Sequence, residues 1–135
     1  MVVKEGKVLM AFRKASHGAN TYQFPGGHLE YLESFAECAR REVREECGVE
    51  IEHIEFVYVA NMIAFAPKHF VHIGLTAEWK SGEPKDLEPE NSGPWDWYAL
   101  DALPTPLNIY AELHLRSLAE HQAQFDAVST SEHGR

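Results

Sequence analysis

Long hydrophobic runs are missing from this chain. Its most apolar stretch, VYVANMIAFA at 57–66, contains Asn61 and is far shorter than the roughly 20 residues a membrane-spanning helix needs. The opening residues, MVVKEGKVLM, lack the basic region and extended apolar segment of a secretory leader. A cytoplasmic protein with no membrane partner is the resulting expectation. Basic residues are scarce as well, with 12 Lys and Arg against 21 Asp and Glu and a formal charge of −9. A nucleic-acid polymer needs a basic surface that displaces its counterions, so that class of partner is not expected. A small phosphorylated ligand remains compatible, provided a divalent metal bridges the two negative partners. Cysteine is limited to Cys38 and Cys47. Both fall in one predicted helix, where a rise of about 1.5 Å per residue separates them by roughly 13 Å, beyond the span of a disulfide. They read as free thiols that pack like small hydrophobes.

The chain does have the material for a core. Its 135 residues, 44% hydrophobic and 24% charged, fit one domain over 1–128. A polar tail at 129–135, expected to be disordered, follows it. MVVK and KVLMAFR read as two strands about a Glu5-Gly6 turn. TYQFP is a short strand ending at Pro25, and Gly26-Gly27 then allow a sharp turn or a close backbone approach to a ligand. SFAE at 34–37 is a capping box that starts a helix ending at Cys47, with Gly48 as its left-handed cap. Strands are expected at 51–65, 69–79 and 95–100, with a long acidic loop between the last two. A terminal helix over 108–125 rests on the spacing of Ile109, Leu113, Leu115 and Leu118.

Four glutamates fall between positions 37 and 46 of the first helix. At about 100° per residue, Glu42, Glu45 and Glu46 share one arc beside the core-facing Ala36, Ala39 and Val43. Glu42 and Glu46 form a like-charge i,i+4 pair, which costs an isolated helix about 0.2–0.5 kcal/mol. Glu37–Arg41 and Arg41–Glu45 offset part of that, and a solvated salt-bridged face is the plain alternative. Two features favour a site: the acids adjoin the buried arc, and a Gly-Gly turn leads into the same helix. Hard oxygen ligands beside a flexible backbone are what Mg²⁺ or Mn²⁺ requires, with phosphate oxygens completing the shell.

Gly27, five residues, Glu33, seven residues, then Arg41-Glu42-Val43-Arg44-Glu45-Glu46-Cys47-Gly48-Val49 resembles the Nudix box at every position. With FPGGHLE before it and the acidic loop, WDWY and LP-x-PL after it, residues 1–120 are similar to MutT-like nucleoside triphosphate pyrophosphatases. The resemblance implies an α/β fold, an α/β/α sandwich around a mixed sheet with the box as loop–helix–loop. It implies hydrolysis of a nucleoside triphosphate to monophosphate and pyrophosphate, and a pool-sanitising role. Another diphosphate-linked substrate, such as ADP-ribose or dihydroneopterin triphosphate, and a non-catalytic nucleotide-binding module are the alternatives. Dinucleotide-cleaving subgroups carry an SQPWPFP-like run just after the box, and this chain has none.

By the same resemblance, Glu42, Glu45 and Glu46 hold Mg²⁺ or Mn²⁺ with the Gly26 carbonyl. Glu33 supports the helix start or a water, and Arg41 orients the glutamates. The proton-accepting base is open among Glu42, Glu45, Glu88 and Glu90. Leu32 stands where relatives often have glycine. His28 and Gln23, beside Gly27, are candidates for substrate contact. Leu107 and Asn108, in the proline-rich segment 104–110, resemble a base-reading loop; the alternative for Leu107 is core beneath the terminal helix. Trp95 and Trp97 share a strand face and read as core. His69 and His72 point to opposite faces and should not share a metal. His114 and His121 read as helix-surface residues. The expected partner is a small nucleotide, and a homodimer is compatible with the sequence.

Overall fold

Glu5 and Gly6 both adopt positive φ, 50° and 78°, the conformation of a two-residue turn whose twist matches flanking antiparallel strands. Around it Val2–Lys4 (β1) and Lys7–Phe12 (β2) pair as the expected hairpin. The computed structural model describes residues 1–129. The tail expected at 129–135 therefore lies, from residue 130 onward, outside the described residues.

β2 pairs with β3 (Tyr22–Gln23) and with β6 (Asp96–Ala99), and β1 runs parallel to β5 (Phe70–Ser81). β5 is antiparallel to β4 (Glu50–Met62), which pairs in parallel with β7 (Gln124–Val128). The sheet order is β3-β2-β1-β5-β4-β7, with β6 beside β2. The sheet is mixed, as expected.

Val8, Leu9, Met10 and Ala11 are all fully buried. Alternation along β2 sends Leu9 and Ala11 to one face and Val8 and Met10 to the other. The first pair joins Val43 and Cys47 of helix α1 (Phe35–Cys47), with Ile51, Ala77 and Trp95. The second packs with Ala111 of helix α2 (Ile109–Glu120). Helices thus cover both faces, which makes the α/β/α sandwich. Trp95 is buried and Trp97 packs against the same cluster, and both cysteines are free.

The C-terminal reading needs correction. Instead of one helix over 108–125, α2 stops at Glu120, and His121 caps it in the left-handed conformation at φ 54°. The chain then adds β7 to the edge of β4, burying Phe125 and Val128. No glycine or proline separates helix from strand, so the usual breaker signals were absent. His114 is also not a surface residue. It is 3% exposed, donates or accepts at Thr76 Oγ1 over 3.0 Å, and meets the ring of Tyr58 edge-on. The buried arc of α2 is Ile109, Leu113, His114 and Ser117, while Leu118 is exposed. Among the described residues no helix is long and apolar enough to cross a membrane.

Candidate active site

Ser34 opens α1 with both halves of the capping box in place: its Oγ accepts the Glu37 N–H at 3.0 Å, and the Glu37 carboxylate accepts the Ser34 N–H at 2.9 Å. Gly48 closes the helix at φ 71° and donates to Arg44 O. These caps fix the rotation of α1, which turns Val43, Glu46 and Cys47 inward. Glu42 and Glu46, four residues apart, then line one wall of a cleft of about 880 Å³.

The Gly26-Gly27 turn crosses directly over these carboxylates. The Gly26 N–H donates to Glu46 Oε1 at 2.9 Å, and any Cβ at Gly27 would overlap the Glu42 carboxylate. Close approach, not φ, is why glycine is needed there. Arg41 gathers the acids on the outer side. Its Nε and Nη2 reach the two oxygens of Glu33 at 2.7 and 3.0 Å, and Nη1 reaches Glu42 at 2.6 Å and Glu45 at 3.1 Å. Nη2 also donates to His28 O at 2.9 Å, tying the loop before the helix to the helix itself. This bidentate contact holds the Glu33 carboxyl down at about 2.

Glu46 behaves differently. At 7% exposure it is buried, and that burial, with Glu42 and Glu88 nearby, pushes its carboxyl up to about 8 despite the Gly26 N–H. Burial also raises Glu42, against the opposing pull of Arg41. A raised proton affinity in these carboxylates reflects the cost of burying their charge, with each other's charge adding to it. The residues fit a hard divalent cation: the carboxylates of Glu42 and Glu46 lie under a glycine turn with no side chain in the way, and Glu45, half-exposed and outside the cleft lining, adjoins them through Arg41. Among the described residues no three His, Cys, Asp or Glu side chains already stand in metal-holding geometry. Arg41 engages Glu42 and Glu45 instead, so a cation would compete with the guanidinium.

Glu88 reaches the same region from the acidic loop after β5. The Lys85 and Leu87 N–H groups donate to Cys47 O and Glu46 O at 2.8 and 3.3 Å, pinning that loop to the C-terminal end of α1. Glu88 lines the cleft, whereas Glu90 does not.

Gln23, His28 and Asn108 also line the cleft. Leu107 is not among the lining residues; it is half-buried against Val8, Met10 and Ala111. Its segment makes a single parallel bridge to β3, with Tyr22 N–H donating to Pro106 O and Asn108 N–H to Tyr22 O, both at 2.8 Å. Alternation then sends Leu107 to the core and Asn108 the other way. Asn108 caps α2, its Oδ1 accepting the Tyr110 N–H at 2.9 Å. Sequence reasoning missed Arg13, His17, Phe70, His72 and His114 as cleft residues. They come from separate strands and loops, and no local spacing signals that they meet. His72 stacks on Tyr110 at 4.0 Å, while His69 is exposed and bonded to Asn61.

Comparison with known proteins places this geometry. The chain is 36% identical over 123 residues to the NAD-capped RNA hydrolase NudC of Pseudomonas aeruginosa, an alignment covering 90% of this chain and 40% of that protein. It is 29% identical over 110 residues to the oxidized purine nucleoside triphosphate hydrolase of Danio rerio, covering 77% of this chain and 65% of the relative. The chain therefore spans less than two thirds of the length of either relative. Among solved structures, a MutT NUDIX hydrolase from Burkholderia pseudomallei superposes with a TM-score of 0.79 at 33% identity, covering 85% of this chain and 90% of that one. The NUDIX domain model matches residues 1–120, and with the box helix, glycine turn and sandwich in place the chain belongs to the NUDIX domain family.

Proposed function

We propose that this protein is a divalent-metal-dependent hydrolase that cleaves a nucleoside triphosphate to the monophosphate and pyrophosphate, with a role in clearing modified nucleotides. The observation that carries this reading is the adjacent carboxylate pair, Glu42 and Glu46, beneath Gly26-Gly27 at the wall of a cleft large enough for a nucleotide. In this reading Glu42, Glu45 and Glu46, with the Gly26 carbonyl, hold Mg²⁺ or Mn²⁺. The bound cation supplies neutralisation of phosphate charge and acidification of a water.

The chain's own residues do the rest. Arg41 holds Glu33, Glu42 and Glu45 beside the glycine loop, and would give up Glu42 and Glu45 to the cation while keeping Glu33. A water oxygen forms a new bond to phosphorus as the bond to the bridging oxygen breaks. Pyrophosphate leaves with that electron pair, and the water proton passes to a carboxylate. Glu88 is the favoured acceptor because it lines the cleft on a different element from the box helix. His28 and Gln23 flank the nucleotide, and Asn108 borders its base end.

A second reading is supported by the NudC relative: cleavage at the diphosphate of a dinucleotide or a nucleotide-capped end. The missing SQPWPFP-like run weighs against it. One panel decides between them. Nucleoside triphosphates, ADP-ribose and a dinucleotide are incubated with Mg²⁺ and, separately, with chelator, and products are resolved by chromatography. Metal-dependent release of pyrophosphate from triphosphates supports the first reading. Turnover confined to the dinucleotide moves the assignment to the second, and no turnover of any substrate supports a binding module.

A further inference from the structure

Glu88 and Asn91 are the first and last residues of a turn in the acidic loop. The Asn91 N–H donates to Glu88 O at 3.0 Å, and the Ser92 N–H donates to the same oxygen at 3.2 Å. Pro89 takes the second position, where its fixed φ favours such a turn. The two ends are fastened to different parts of the fold. On the Glu88 side, the preceding Leu87 N–H is bonded to Glu46 O on α1. On the Asn91 side, Asn91 O accepts the Lys14 and Ala15 N–H groups at 2.8 and 3.1 Å, Ser92 bridges Arg13, and the Gly93 N–H donates to Phe12 O at 3.0 Å. The Lys14 ammonium adds a bond to Pro89 O at 3.1 Å. Clamped from both sides, the turn sets its first and fourth side chains beside each other, and both line the cleft.

Within the turn Asn91 Nδ2 donates to Glu88 Oε1 at 3.4 Å. Among the described residues this is the one hydrogen bond that the Glu88 carboxylate accepts, and it makes no ion pair. The box helix is arranged differently. Arg41 neutralises Glu33, Glu42 and Glu45 as it orients them. An amide has no net charge, so it orients a carboxylate and leaves the charge in place. Asn91 engages Oε1 and leaves Oε2 without a hydrogen bond among the described residues. A carboxylate that takes a proton from water needs its plane held and one oxygen open.

We infer that Asn91 is the positioning residue of Glu88, its amide holding one carboxylate oxygen and leaving the other for the reacting water. This role rests on the reading of Glu88 as proton acceptor in the hydrolysis proposed above. The water proton passes to Glu88 Oε2 as the water oxygen bonds to phosphorus and the bridging oxygen departs with its electron pair. Asn91 keeps its own protons throughout and acts through Glu88, without touching substrate. Sequence spacing alone did not mark it, because its side chain owes its place to the backbone bonds from Lys14 and Ala15.

The test is a double-mutant cycle on the whole chain, with nucleoside triphosphate and saturating Mg²⁺. Asn91→Ala removes the amide and keeps every backbone bond of the turn. Its kcat is expected to fall about three- to tenfold, the worth of one hydrogen bond, with KM and melting temperature close to wild type. Asn91→Asp, which has the same shape but repels Glu88 and donates nothing, should fall further. In a Glu88→Ala background, Asn91→Ala should have no additional effect. An unchanged kcat, a rise in KM in its place, or an equal loss with and without Glu88 would overturn the inference, the last two because they put Asn91 on the substrate. A second readout needs no turnover: the NMR shift of the Glu88 side-chain carboxyl carbon, at fixed pH without metal or nucleotide. Asn91→Ala should move that resonance, and an unmoved resonance also overturns the inference. Glu88→Ala turning over as fast as wild type removes Glu88 from the reaction and the inference with it. Absence of turnover of any substrate removes the hydrolase proposal instead, and the resonance alone then decides whether Asn91 holds Glu88.

Discussion

Glu46 is a carboxylate held far from its ordinary chemistry at the site. Buried, and with its carboxyl raised to about 8, it is close to neutral at pH 7 without a cation. Glu46→Gln reproduces that neutral form, so the fold should be kept and the melting temperature unchanged or higher. Turnover at saturating Mg²⁺ should fall at least about a hundredfold, because a charge that stabilises the transition state is gone. Retention of more than about a tenth of wild-type kcat would contradict the ligand role. Gly27 gives a complementary test. The atom a new Cβ would strike is the end of a flexible side chain, Glu42, so Gly27→Ala should displace the carboxylate without unfolding the protein. The expected result is a loss of kcat comparable to that of Glu42→Gln, with thermal stability close to wild type. A large drop in melting temperature would mean that the turn, not the carboxylate, absorbs the clash.

At the scale of elements, the box loop and α1 form one unit stitched by Arg41. The loop contains a strained position: Leu32 sits at φ 61° with its side chain 85% exposed. A left-handed conformation costs a residue with a Cβ about 1–2 kcal/mol, and this leucine recovers little by packing. Glycine removes that strain but adds up to about 1 kcal/mol of unfolded-state entropy. Leu32→Gly should therefore leave stability unchanged or raise it by up to about 1 kcal/mol, read by urea unfolding. A destabilisation beyond about 1 kcal/mol would show that the leucine makes a contact in solution that the structure does not contain. The box helix was legible in the sequence because every determinant is local: Ser34 and Glu37 for the start, Gly48 for the end, a 3.6-residue apolar period between. The α2–β7 junction was not, because what ends α2 is the availability of the β4 edge for Phe125 and Val128. That edge is assembled from residues some sixty positions away and leaves no local mark.

For the whole molecule, pH response tests how these buried groups are coupled to folding. Burial lowers His114 to about 3 and His72 to about 4. The unfolded chain protonates both near 6.5 while the folded chain does not, so their contribution to stability is complete above that pH. It is lost as pH falls toward 4, a change on the order of a few kcal/mol. Glu46 has the opposite sign. Raised from 4.5 to about 8, it favours the folded state at low pH, and this contribution disappears as pH rises through 8. Unfolding free energies measured without metal should therefore peak near neutrality. His114→Gln should flatten the acid limb, and Glu46→Gln should flatten the limb between pH 6.5 and 8. Millimolar Mg²⁺ should also raise stability most at pH 8, where Glu46 is free to bind it. Parallel pH profiles in wild type and both variants would refute the assignment.

The sequence by itself determined the box helix, its caps, the glycine turn, the first hairpin and the family, since each rests on contacts within a few residues or on a box whose every specified position is filled. It also indicated which acids would cluster, because helical geometry leaves Glu42 and Glu46 no choice but to adjoin. Tertiary structure alone decided how the rest of the cleft is lined. The alternation of the segment beside β3 sent Leu107 into the core and left Asn108 as a helix cap; packing of α2 across the sheet buried His114. Pinning of the acidic loop to the end of α1 chose Glu88 over Glu90 as the cleft carboxylate. Arg13 acquired its place only when the loop at 14–21 folded back to accept from its Nε and Nη2, leaving Nη1 to reach Gln23. These are outcomes of long-range pairing, in which the partner of a side chain is set by strand register and not by its neighbours in the chain.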